Sequence, residues 1–148
     1  MTDTVLVPLD GSPLSRRALR HALKRFPDAS ITVLHVVDLF EPSYGAYPDF
    51  ETSYEPLTGS EEWYARAQEV SEQLFEEARD LADEYDREVS TTSDIGDPER
   101  IIVDYADEEE IDHIVLGAHG RTEEERPVFG SIAEIVARRA TVPVTLIR

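Results

Sequence analysis

Short apolar runs and longer stretches with helical periodicity take turns along this chain. Val5 to Leu9 is apolar apart from Pro8 and reads as a short buried strand. Ser12-Pro13 follows, an N-cap residue with proline at the first helical position. Leu14, Ala18, Ala22 and Phe26 then recur at helical spacing, which predicts a helix to about Arg25. Ile31 to Val37 is a second strand, and Asp38 to Thr58 reads as a loop rich in Pro, Tyr and Phe. From Ser60 a long helix carries Trp63, Ala67, Val70, Leu74, Ala78, Leu81 and Tyr85 on one stripe. Glu88 to Ser93 is a third, polar strand, and Asp97-Pro98 repeats the cap-plus-proline signal before Ile101, Ile102, Tyr105 and Ala106. Ile111 to Leu116 is a fourth strand and Gly117 to Gly130 a loop. Ser131 opens a last helix with Ile132, Ile135, Val136 and Arg139 in register, and Val142 to Ile147 is an apolar final strand.

Strands that alternate with helices imply a parallel sheet covered on both faces. We therefore expect an α/β fold, one domain over residues 1–148 with a doubly wound five-stranded sheet. A flavodoxin-like, Rossmann-like strand order, 3-2-1-4-5, suits five strands and puts the topological switch between strands 1 and 4. Ligands of such sheets bind outside the carboxyl ends of the strands at that switch. Asp10-Gly11-Ser12 and Gly117-Ala118-His119-Gly120 stand at those ends.

Composition narrows the classes. Hydrophobic residues make up 41% of the 148, enough for a core, and no stretch approaches the ~20 apolar residues of a membrane span. The first residues lack a basic leader pattern and cysteine is absent, so disulfides and thiolate metal sites are excluded and a cytoplasmic location is expected. Asp and Glu total 32 against 14 Lys and Arg, a formal charge of −18, and Lys24 is the sole lysine. This composition looks like adaptation to high salt, where a Debye length of about 3 Å at 1 M screens surface repulsion. Sequence-independent binding to nucleic acid is disfavoured, because phosphate contacts need a basic face.

The chain lacks the P-loop pattern, a GxGxxG after the first strand, an HExxH pair and a GxSxG elbow. What it does have is Gly117-x2-Gly120-x9-Gly130-Ser131 between the fourth strand and the last helix. Glycines admit close backbone approach, and a helix N-terminus with its unpaired N–H groups favours an anion such as phosphate. Ser131 can meet a phosphate oxygen or cap the helix; a plain strand-to-helix loop with an N-cap serine is the competing reading. Asp10 divides in the same way between a turn residue and a ribose or adenine contact.

The glycine pattern, Val7-Pro8-Leu9-Asp10-Gly11-Ser12, His35-Val36 and Val142-Pro143-Val144 together resemble the universal stress protein family over essentially the whole chain. The resemblance implies that Pro8, Asp10 and Val36 surround an adenosine, that Gly117, His119, Gly120 and Arg121 follow ribose and phosphates, and that Gly130, Ser131 and Ile132 hold the phosphate tail. It implies ATP, or AMP or ADP, with Mg²⁺ accompanying the nucleotide, a role in stress response, and a homodimer through Val142 to Ile147. An apolar edge strand also seeks a partner on general grounds. Glu123-Glu124-Glu125 departs from the family's mixed basic and apolar stretch, and a carboxylate 4 Å from a phosphate charge costs about 1 kcal/mol in water. Arg121 and Arg126 offset part of this, and the acidic run reads equally as a solvated loop tip.

His119 is either a ligand contact or a loop residue; His35 and His113 read as structural, and no i, i+4 histidine pair marks a metal site. Phe40, Tyr44, Tyr47, Phe50 and Tyr54 punctuate the 38–58 loop as a packed insertion, a lid or a partner surface. Three functional classes stay open. They are a nucleotide-binding regulator, a slow ATPase or phosphotransferase for which no base is identifiable, and an interaction module without nucleotide.

Overall fold

The computed structural model describes residues 3–38, 59–119 and 130–148. The expected loop 38–58 therefore falls almost wholly outside the described residues, as do Gly120, Arg121 and Glu123 to Arg126. The elements run β1 (Thr4–Pro8), α1 (Pro13–Arg25), β2 (Ser30–Val37), α2 (Glu61–Asp83), β3 (Ser90–Ile95), α3 (Pro98–Glu108), β4 (His113–Gly117), α4 (Ser131–Arg139) and β5 (Val144–Ile147). The five strands form one sheet in the order β3-β2-β1-β4-β5, with every pairing parallel. This is the predicted doubly wound order, with the switch at β1 and β4.

β1 is buried on both faces, as the middle strand of a covered parallel sheet must be. Val5, Val7 and Leu9 face a core built with Ala18, Leu19, Ala22 and Leu23 of α1 and the stripe of α2. Leu6 faces the opposite core, built with Leu34, Ile102 and Ala106 of α3, and Ala133 and Val136 of α4. The stripe expected on α2 is buried from Trp63 to Leu81, and Tyr85 packs against it from beyond the helix end. Ser60 caps α2 by accepting the Trp63 N–H at 3.1 Å.

Three boundaries differ from the sequence reading, each for a local reason. Ile111 is not in β4. Its N–H reaches back to the Ala106 carbonyl at 3.0 Å across Glu110, whose φ is +53°, so it closes α3 in a Schellman-type turn. Val142 and Pro143 precede β5; the Pro143 carbonyl accepts the Ile114 N–H at 3.0 Å, but proline has no donor to continue the ladder. β3 lies two residues later than expected, ending at Ile95, and its polar pattern fits an edge strand, all six of its residues being exposed or half-buried. Asp97 has the extended backbone of an N-cap, yet its side chain makes no capping hydrogen bond to α3.

The surface charge is only partly paired. Arg16 and Arg20 of α1 reach Glu77 of α2 and Glu84, its C-cap residue, both at 3.3 Å, the first pair half-buried and the second exposed, where such a pair contributes little. The remaining excess of carboxylates opposes folding through self-repulsion. Raising KCl from about 0.1 M to about 2 M at neutral pH should lift Tm by about 5 °C or more. A Tm that stays flat or falls in calorimetry would show that charge repulsion does not limit this fold.

Candidate functional site

The crevice is assembled from the ends of β1, β2 and β4 and the start of α4. β1 ends at Pro8, paired with Leu34, while β2 continues three residues further to Val37. Val36 is thus carried past the end of β1, half-buried on the α3/α4 side of the sheet. The chain leaves β1 through Leu9, whose N–H still bonds the Leu34 carbonyl at 2.8 Å. Asp10 then accepts the Ser12 N–H on Oδ1 at 2.9 Å, and Gly11 turns with φ +85°, a conformation that favours glycine. One carboxylate oxygen of Asp10 is thereby spent on the turn, as the plainer of the two sequence readings had it.

Ser12 is buried and is the N-cap of α1. Its Oγ accepts the Ser15 N–H at 3.2 Å, and Ser15 Oγ donates back to the Ser12 carbonyl at 2.8 Å. The first turn of α1 lies directly against β4. A β-carbon on Gly117 would come within 3.1 Å of the Leu14 backbone carbon and Cβ, and 3.2 Å of its carbonyl oxygen. Gly117 is therefore a glycine because the helix passes so close, a reason the sequence pattern alone did not reveal.

Beyond Gly117, Ala118 is fully buried and acts through its backbone. Its N–H bonds the Ile147 carbonyl and its own carbonyl accepts the Gly130 N–H, both at 2.7 Å. These two bonds pin the start of α4 to the end of β4, and neither was visible in the sequence. Gly130, rather than Ser131, is the N-cap of α4, with φ −71° and no side-chain capping bond. The Gly130 N–H is thus already committed to Ala118. The first intrahelical bond runs from Glu134 N–H to the Gly130 carbonyl, so the N–H groups of residues 131–133 have no acceptor within the helix. Ser131 is exposed and Ile132 half-buried at this end, and His119 is half-buried after β4.

Among the predicted residues, Pro8, Asp10, Val36, Gly117, His119, Gly130, Ser131 and Ile132 all lie at the carboxyl edge of the sheet around the switch. Gly120 and Arg121 lie outside the described residues. No group of three or more His, Asp or Glu side chains that could hold a metal occurs among the described residues. His35 is buried with Nδ1 2.7 Å from Ser71 Oγ. The pair has the composition of a nucleophile and base, but both side chains are sealed between β2 and α2, so it is a core contact, as the sequence reading of His35 expected.

This arrangement invites comparison with known proteins. The profile of the universal stress protein family matches residues 1–148. The chain belongs to the universal stress protein family. Universal stress protein MJ0531 of Methanocaldococcus jannaschii is 31% identical, over 97% of this chain and 81% of its own length. The solved structure of MJ0577, a universal stress protein of the same organism, superposes with a TM-score of 0.77 at 25% identity, covering 99% of this chain and 96% of that one. The fold is shared as well by a universal stress protein solved in complex with cAMP (24% identical, TM-score 0.66, 99% and 97% covered). An Arabidopsis thaliana family member solved with AMP bound also shares it (18% identical, TM-score 0.67, 98% and 90% covered). No helix among the described residues is long and apolar enough to cross a membrane.

The close approach at residue 117 generates a stability prediction for this family member. Gly117→Ala should force the first turn of α1 outward and cost about 1–3 kcal/mol. Chemical denaturation followed by circular dichroism measures this. A variant within about 0.5 kcal/mol of the parent would mean that α1 yields easily and that the packing argument fails.

Proposed function

We propose that this universal stress protein binds an adenine nucleotide, ATP or its AMP or ADP relatives, at the carboxyl edge of β1 and β4, and acts as a regulator in stress response. The observation that carries the reading is the start of α4. A helix N-terminus without a side-chain cap opens at the topological switch, where a fold of this kind takes its ligands and where an anion is favoured. The nucleotides bound to the cAMP and AMP members of the family support the same class of ligand. In this reading Pro8, Asp10 and Val36 flank the adenosine. His119 meets the sugar and phosphates together with Gly120 and Arg121. Ser131 and Ile132 offer N–H groups to the phosphate tail, and Mg²⁺ accompanies the nucleotide. Gly117 and Gly130 serve by shaping the backbone, since one is filled by Leu14 and the other's N–H is held by Ala118.

Those same two facts favour a second reading, an interaction module without nucleotide, because packing already accounts for two of the three motif glycines. Glu123 to Glu125 and Glu134 in the first turn of α4 point the same way. A homodimer through edge strand β5, whose four residues are all half-buried, and a cytoplasmic location belong to both readings.

Calorimetry with ATP and Mg²⁺ at molar KCl, on protein stripped of nucleotide, separates the two. Binding at about 1 μM, near −8 kcal/mol, would support the nucleotide site, and no heat would leave the interaction module. Gly130→Val should weaken binding about tenfold or more while the circular dichroism spectrum keeps its folded form, because the side chain crowds the helix entrance. Unchanged affinity in folded protein would remove the α4 terminus from the site. Sedimentation at high salt should give a dimer at micromolar concentration, and a monomer there would exclude pairing through β5.

A further inference from the structure

Helix α1 inverts the charge of the molecule around it. Its 13 residues, Pro13–Arg25, include Arg16, Arg17, Arg20, Lys24 and Arg25 and no Asp or Glu. The whole chain has 32 acidic and 14 basic residues, and Lys24 is its sole lysine. Helix electrostatics account for only part of this. Lys24 and Arg25 suit the carbonyl end of the helix dipole. Arg16 and Arg17 stand near the amino end, where acidic residues are favoured and α1 has none.

The cations divide between two sides of the helix. Arg16 and Arg20 turn to Glu77 and Glu84. Arg17, His21 and Arg25 follow one another at i, i+4 and i+8 along another side, with Lys24 beside them. Phe26 ends this row by packing on His113 of β4, 4.9 Å between ring centroids. Arg17, Lys24 and Arg25 are exposed, and none of the three makes an ion pair or hydrogen bond among the described residues. We propose that this stripe docks a short acidic segment of a partner protein, with Arg17 and Arg25 as its anchors. The surface is independent of the nucleotide reading, whose residues gather at the carboxyl edge of the sheet.

Spacing and chemistry select the occupant. Residues at i and i+4 are about 6 Å apart along a helix. An extended acidic chain presents alternate carboxylates about 6–7 Å apart, so successive pairs stay in step with the stripe. Guanidinium groups meet carboxylates through two parallel hydrogen bonds, a short-range contact that salt screens less than the long-range field. A single-stranded nucleic acid would also need aromatic platforms, and the one aromatic residue at this end of α1, Phe26, is taken by His113. A bilayer would need apolar side chains at the surface, and the exposed large apolar residues among those described, Tyr64 and Ile95, lie outside α1. A second copy brings a charge of −18 with it, whereas a short segment confines its charge to the stripe.

Fluorescence anisotropy tests this with a labelled peptide of about ten glutamates at about 0.15 M KCl, the fold being verified by circular dichroism. Binding should saturate, and raising KCl to about 1 M should weaken it about tenfold. Arg17→Gln with Arg25→Gln should weaken it about fivefold or more. Arg16→Gln with Arg20→Gln removes the same charge from the side that faces α2, and should weaken it less than about twofold. Equal losses in the two double variants would reduce the effect to net charge and overturn the proposal, as would the absence of binding. A thymidine oligonucleotide of about ten residues that binds as tightly as the peptide would overturn it in favour of nucleic acid. Self-association in sedimentation without peptide, abolished by Arg17→Gln with Arg25→Gln, would overturn it in favour of a second copy.

Discussion

The first turn of α1 runs so close to β4 that residue 117 has no room for a β-carbon, and the geometry of the crevice follows from that contact. Because the helix is held against β4, the turn from β1 must be short and tight, which Asp10, Gly11 and the paired serines 12 and 15 accomplish. With α1 placed over one face, the backbone of β4 continues unbroken into Ala118, whose two backbone bonds draw in β5 and the start of α4. A larger residue at 117 would displace α1 and, through Ser12, the turn that leaves β1. The motif glycine is best understood as a spacing element between helix and sheet. Its influence on any ligand is exerted through the backbone that it allows to stay in place.

The second constraint is the mismatch between a well-filled interior and a heavily acidic exterior. The two cores that sandwich the sheet contain aliphatic residues with Trp63 and Phe75, and His35 and three serines are the buried polar exceptions among the described residues. His35 and Ser71 satisfy each other, and the buried serines 12 and 15 do likewise, which leaves Gln73 Oε1 as the buried side-chain polar atom without a partner among the described residues. From outside, repulsion among carboxylates opposes this well-filled interior, and ionic strength screens that repulsion while single exposed surface pairs contribute little.

Much of this was legible in the sequence because the two periodicities are clean. The alternation of apolar runs with helical stripes sufficed for the element order, and Ser12-Pro13 and Ser60 marked two helix starts that the structure keeps. The residues that the family resemblance singled out and the structure describes are gathered at one edge of the sheet. The failures are instructive in physical terms. Ile111 has the composition of a strand residue, but the left-handed Glu110 before it turns its N–H back to the helix, and nothing in residue type announces a non-glycine in that conformation. Ser131 has the side chain of an N-cap, yet the backbone bond from Gly130 to Ala118 moves the cap one residue earlier. The roles of Leu14 and Ala118 are spatial or carried by the backbone, so no side-chain pattern could have shown them. His113 read as structural, which its contact with Thr145 supports, but only the fold brings His21 and Phe26 to the same ring.

β5 connects the two ends of the molecule. At its carboxyl end the Ile147 carbonyl is bonded to Ala118, the residue that also holds α4. Near its amino end it is tied through Pro143 to Ile114 and through Thr145 to His113. The strand is four residues long, none of them fully buried, and pairs on one side only. Such an element has little stability of its own and takes its order from the bonds at its two ends. Any change in how firmly β5 lies on β4 therefore reaches Ala118 as a change in backbone position, and from there the entrance of α4. This places the apolar edge, the His113 contact and the start of α4 on one mechanical path, with Ala118 as the shared residue. The path is short because β4 itself is only five residues long, from His113 at one end to Gly117 at the other.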